Sequence, residues 1–152
     1  MMNEEEILNA FGNERRFLGV FACNELCSVK LDTDSGLIFN TSPRDVSNNG
    51  HWIAVYKNKN NVVYFLDSLH LDFMFSNHYV TSFLKYNNVQ YVKTLCFPVQ
   101  PIRSNLCGVY CIYFIICFLN NVSFNKLVNI FDAKNLYVND YVVCTYVINA
   151  LK

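Results

Sequence analysis

The sequence predicts an α+β domain in which a mixed, mostly antiparallel sheet packs against one buried central helix. Three observations predict it. Short runs rich in β-branched and aromatic residues alternate with turn chemistry along the first two thirds of the chain. Two of these runs, 51–56 and 62–67, are separated only by the Lys- and Asn-rich residues 57–61 and read as an antiparallel hairpin. Finally, residues 106–119 are apolar all round, so a helix there must be buried on most of its faces. Hydrophobic residues make up 53% of the 152, enough side-chain area for one sizeable core. No repeat, low-complexity tract or Pro/Ser-rich linker divides them, so residues 1–152 read as a single domain.

Each element has a local reason. Residues 3–11 read as a short helix, with Asn3 as N-cap, carboxylates at Glu4, Glu5 and Glu6 complementing the helix dipole, and Gly12 as the stop. Residues 16–21 and 36–40 are short strand candidates, and 41–50, with Pro43, Asp45, Ser47, Asn48 and Asn49, is turn chemistry. The hairpin strands follow. Residues 71–86 read as a helix carrying Phe73, Met74, Val80, Phe83 and Leu84, and 89–97 as a strand that ends at Pro98. After the buried helix, Ser123 opens a further helix to about residue 131, and 138–151 leans towards helix. Runs of strands followed by runs of helices indicate α+β.

Charge narrows the function classes. Lys plus Arg and Asp plus Glu are 12 each, so the net charge is zero, which argues against a chain built to grip phosphate backbones. The same balance, with the high hydrophobicity, argues against disorder. The acidic start is unlike a secretory signal, and 106–119 is too short to span a bilayer. An intracellular, reducing compartment is therefore expected, with no membrane partner and most thiols reduced. Seven cysteines cannot all pair internally, so at least one thiol is free or bound to another molecule.

Four residues stand where chemistry could be assembled. His51 opens the first hairpin strand and Asp67 closes the second, so antiparallel pairing brings them side by side; the plainer reading is a surface His and a turn Asp. A carboxylate there would fix the imidazole tautomer and favour its protonated form. Pro101 pushes Gln100 into an extended conformation, so that its amide projects from a loop. Ser104 or Asn105 would cap the buried helix, which puts Cys107 in its first turn. A thiol at the positive end of a helix dipole has a lowered pKa, whereas the plainer reading makes Cys107 one more small buried hydrophobe. Gly108 removes a side chain where a substrate backbone would approach. A thiolate needs a base, the base an orienting group, and the tetrahedral intermediate a donor. Cys107, His51, Asp67 and Gln100 can fill those roles.

Gly50-His51-Trp52, a strand ending in Asp67, and Gln100 seven residues before Cys107-Gly108 resemble the adenovirus-type cysteine proteases, the adenain family. That family belongs with the Ulp/SENP-like SUMO proteases in a group sharing the His, Asp/Glu, Gln, Cys order. The likeness begins at Phe17-Leu18-Gly19 and runs to Leu119. It implies the adenain/Ulp-like fold, with Cys107 as nucleophile, His51 as its base, Asp67 as orienting acid and Gln100 as oxyanion-hole donor beside the Cys107 N–H. Trp52 would pack near the histidine, or serve simply as a core tryptophan.

The resemblance further implies a peptidase, thiol-dependent and cutting precursor proteins of viral capsids or cores near glycine during particle maturation. Such an enzyme acts as a monomer in the host nucleus or cytoplasm and is packaged in the virion. Adenoviral enzymes use a peptide and DNA as activators. Here Cys96 lies only four residues before Gln100, and the net charge is zero, so no cofactor is expected. The alternatives are a SUMO or ubiquitin-like isopeptidase and an inactive protease-like binding domain. Cys23 with Cys27, or Cys107 with Cys111, could be joined by His70 or His78 around zinc. No C-x-x-C pair exists, however, and no metal is expected. His70, His78 and Asp72 stand behind His51 and Asp67 as substitutes. Cys111, Cys117 and Cys144 read as core packing.

Overall fold

In a computed structural model of the chain, residues 1–46, 50–71 and 76–152 are described. Helix α1 (Glu4–Phe11) begins with the expected cap. Asn3 Oδ1 accepts the Glu6 N–H at 2.9 Å while Glu6 Oε2 accepts the Asn3 N–H at 2.8 Å, a reciprocal capping box. Gly12, at a φ of 52°, ends it. Five strands follow: β1 (Phe17–Ala22), β2 (Ser35–Asn40), β3 (Trp52–Lys57), β4 (Val63–Leu66) and β5 (Val92–Lys93). They lie side by side in chain order. The pairings β2–β3 and β3–β4 are antiparallel, whereas β1–β2 and β4–β5 are parallel. The α+β class therefore holds with a mixed sheet, its antiparallel centre flanked by parallel edges.

Both faces of the sheet are buried, and strand alternation assigns the side chains to them. Ile38, Trp52, Ala54, Tyr56, Tyr64 and Leu66 face α3 (Cys107–Leu119), the buried helix. Leu37, Phe39, Ile53, Val55, Val63 and Phe65 face a 3₁₀ helix (Cys23–Ser28) and α2 (His78–Tyr86) on the other side. The 3₁₀ turn buries Cys23 and exposes Cys27, so these two thiols do not share a face. Phe118 on α3 stacks on Tyr56 at 4.8 Å and lies 4.8 Å from Tyr64, joining helix to sheet. Helices α4 (Phe124–Asn129) and α5 (Leu136–Ala150) close the far side of α3, and Ser123 caps α4 as expected. Phe114 is fully buried on α3 beside Phe131. Phe114→Ala is expected to destabilise the fold by about 3–5 kcal/mol, read from the midpoint of urea unfolding.

Three expectations change. The strand expected over 89–97 shrinks to Val92–Lys93, because the chain must leave the sheet edge to reach the end of β4. There Ser68 O accepts the Val99 and Gln100 N–H groups at 2.9 and 3.0 Å. Neither Ser104 nor Asn105 is the N-cap of α3; Leu106 is, without a side-chain bond. Ser104 instead closes a turn with Pro101 O, and its hydroxyl accepts the Leu106 N–H at 3.3 Å. The helix expected over 71–86 is described from His78, while Asp72, Phe73 and Met74 lie outside the described residues, as do Ser47, Asn48 and Asn49. No helix among the described residues is long and apolar enough to cross a membrane.

Candidate active site

The hairpin turns two distant residues into neighbours. His51 precedes β3 and Asp67 follows β4, and the register Ala54–Leu66 sets these strand ends beside each other. His51 Nε2 lies 2.5 Å from Asp67 Oδ1, with both side chains close to nine-tenths buried. Each partner is held from behind. The His51 N–H donates to Thr41 Oγ1 at 2.9 Å, and Thr41 N–H donates to His51 O at 2.9 Å. Asp67 Oδ1 accepts the Leu69 N–H and Oδ2 the Leu71 N–H, at 2.9 and 2.8 Å. Gly50 has a steric reason. A Cβ there would fall 1.9 Å from Asn40 Oδ1 and 2.6 Å from Ser42 Oγ, so only glycine lets the loop pass.

Cys107 is the first residue of α3, so its own N–H has no intrahelical acceptor. It is 3% exposed, and burial by itself raises a thiol pKa. Four influences outweigh that and carry the value below the usual thiol range: the hydrogen bond from His51, the Trp52 N–H, the His51 charge and the Gly108 N–H. On His51, burial pushes the pKa down, but the bonds and charges of Asp67 and Cys107 lift it to about 9. With Nε2 committed to Asp67, Nδ1 is the ring nitrogen left for the sulfur. The pair therefore favours thiolate and imidazolium together. The contrast with the other thiols is sharp: burial pushes Cys23, Cys111, Cys117 and Cys144 up. All seven cysteines are free.

Gln100 is 1% exposed, so the amide expected to project from its loop is buried. Its Nε2 donates to Ser104 O at 2.8 Å, and Ser68 Oγ donates to its Oε1 at 2.5 Å. A carbonyl acceptor on one side and a hydroxyl donor on the other fix which end of the amide is which. The loop is pinned further by Val99 O, which accepts from Asn139 Nδ2 at 2.9 Å and from Tyr110 Oη at 3.2 Å. Asn139 lies on α5 and is fully buried, so the last helix supports the loop that carries Gln100.

Ser68 escaped the sequence reading, and Trp52, expected to pack near the histidine, contributes in a further way. Ser68, buried next to Asp67, ties the acid's turn to the Gln100 amide, yet in sequence it is one polar residue in a turn. The Trp52 main-chain N–H helps to lower the Cys107 thiol pKa, a role no side-chain motif advertises. Its indole is 6% exposed in the core beneath α3 and donates to Met2 O at 3.0 Å. The space that Gly108 leaves at the start of α3 is occupied. The side chain of Met2 fills it, with Met2 Cβ 3.1 Å from where a Cβ on residue 108 would stand.

The reserve residues stay apart: His70 is exposed in the turn after Asp67, and His78 opens α2 against Tyr79. Among the described residues, no group of three or more His, Cys, Asp or Glu side chains could hold a metal ion. Compared with known proteins, the chain matches no family model and no characterised protein in sequence.

Proposed function

We propose that the chain is a cysteine endopeptidase of adenain/Ulp-like fold, with Cys107 as nucleophile, His51 as base, Asp67 as orienting acid and Gln100 as oxyanion-hole donor. The observation that carries this reading is a buried thiol driven towards thiolate at a helix start, beside an imidazole clamped by an anchored carboxylate. Cys107 Sγ attacks the scissile carbonyl carbon, and the carbonyl π pair moves onto oxygen. The Cys107 N–H and the second Nε2 hydrogen of Gln100, which has no acceptor among the described residues, meet that oxyanion. The imidazolium proton passes to the leaving nitrogen as the C–N bond breaks, leaving a thioester. Neutral His51 then takes a proton from water, whose oxygen attacks the thioester carbon, and the thiolate leaves.

Glycine near the scissile bond, in precursor proteins of a viral particle, is the substrate class the sequence resemblance supports. Incubation with glycine-fixed peptide libraries and with a SUMO fusion separates the possibilities. Cleavage of the peptides at small-residue sites supports an endopeptidase, and cleavage of only the fusion makes the chain an isopeptidase. If neither is cut while Cys107 still alkylates readily, the chain is a binding domain. Gln100→Ala is expected to lower kcat about 10²–10³-fold with KM little changed, measured on a cleaved peptide. An unchanged kcat would remove Gln100 from the oxyanion hole.

A further inference from the structure

Trp52, the chain neighbour of His51, and Gly108, the chain neighbour of Cys107, are both held by one residue outside the constellation. Trp52 Nε1 donates to Met2 O at 3.0 Å. The Met2 side chain covers residue 108, with Cβ, Sδ and Cγ at 3.1, 3.3 and 3.5 Å from the place of a Cβ there. Met2 is partly buried against the core cluster around α3. The segment bearing it is itself fastened, because the Asn3–Glu6 capping box fixes its turn into α1. One residue further, Glu4 Oε2 accepts from Arg44 Nη1 at 2.6 Å, and Arg44 Nη2 donates to Glu25 Oε1 at 2.7 Å.

We propose that Met2 is a positioning residue of the Cys107 site, gripping Trp52 by its carbonyl and Gly108 by its side chain so that the start of β3, next to His51, and the start of α3, with Cys107, keep their spacing. The proposal rests on the reading of Cys107 as nucleophile and adds to it a part played by the N-terminal segment. Its physical basis is that an N–H bond to a charged acceptor weakens steeply as distance and angle depart from the optimum. A shift of a few tenths of an ångström in either element therefore changes the pairing of the His51 N–H with the sulfur. A methyl at residue 108 would press on Met2, which must give by a few tenths of an ångström.

The test is the pH dependence of Cys107 alkylation by iodoacetamide, read at that residue by peptide mass spectrometry on the full chain. Met2→Asn and Gly108→Ala are expected to raise the midpoint by about half to one pH unit, which slows alkylation below it about three- to tenfold. Met2→Leu, which keeps an apolar side chain over residue 108, is expected to stay near wild type. Labelling of exposed Cys27 and Cys96 is expected to be equal throughout, and buried Cys111 to remain unlabelled, which reports an intact fold. If Gly108→Ala exposes Cys111, Met2→Asn alone decides the question. A Met2→Asn midpoint equal to wild type would overturn the proposal while leaving the nucleophile in place. An ordinary thiol midpoint in the wild type would instead remove the nucleophile reading.

Discussion

Cys107→Ala is expected to bring peptide hydrolysis down to background, a loss of about 10⁴-fold or more in kcat/KM, with the far-UV circular dichroism unchanged. No neighbouring thiol can take over. Cys111 is one helical turn away but 1% exposed, and burial pushes its thiol well above the usual range. Alanine fits the same site with little cavity, so the loss reads chemistry and not unfolding. Retained hydrolysis in this variant would place the nucleophile elsewhere.

His51→Asn is expected to cost about 10²–10⁴-fold in kcat, because it removes the group that takes and returns the proton. Asp67 keeps its Leu69 and Leu71 N–H partners in that variant, so the strand ends stay in place. The pH profile follows from the same pair. His51 is raised from 6.5 to about 9, so its contribution to stability is fully present below 6.5 and is lost as pH rises through about 9. Cys107 is lowered, so the thiolate's contribution is present above the unfolded thiol's value and is lost as pH falls through the folded one. Both charges coexist between the lowered thiol value and about 9. Activity should therefore rise with an acid limb set by Cys107 and fall above about 9. A variant without the imidazole should lose the alkaline limb with the rate.

What the sequence disclosed was local chemistry. Asn3 with Glu6, Ser123, and the paired runs around residues 57–61 each carry their own short-range reason, and they form where that reason puts them. His51 and Asp67 were legible together because a hairpin joins strand ends without any long-range information. The illegible parts depend on contacts far apart in the chain. Residues 89–97 look like a strand, but the carbonyl of Ser68 takes the Val99 and Gln100 N–H groups and draws the chain across the end of β4. Strands β2 to β4 are buried on both faces, so their alternation cannot be seen as apolar against polar. The two-faced core was accordingly hidden. Gly108 looked like room for a substrate because nothing in its neighbourhood announces that Met2, more than a hundred residues earlier, occupies the space.

The proposed reaction requires Cys107 to rest as a thiolate paired with protonated His51. Iodoacetamide alkylation of Cys107, followed against pH in wild type and His51→Asn, tests it most directly, because it needs no substrate. The wild-type midpoint is expected well below the roughly 8.5 of a free cysteine, moved up towards or past that value by the substitution. A wild-type midpoint near 8.5 that His51→Asn leaves unmoved would contradict it.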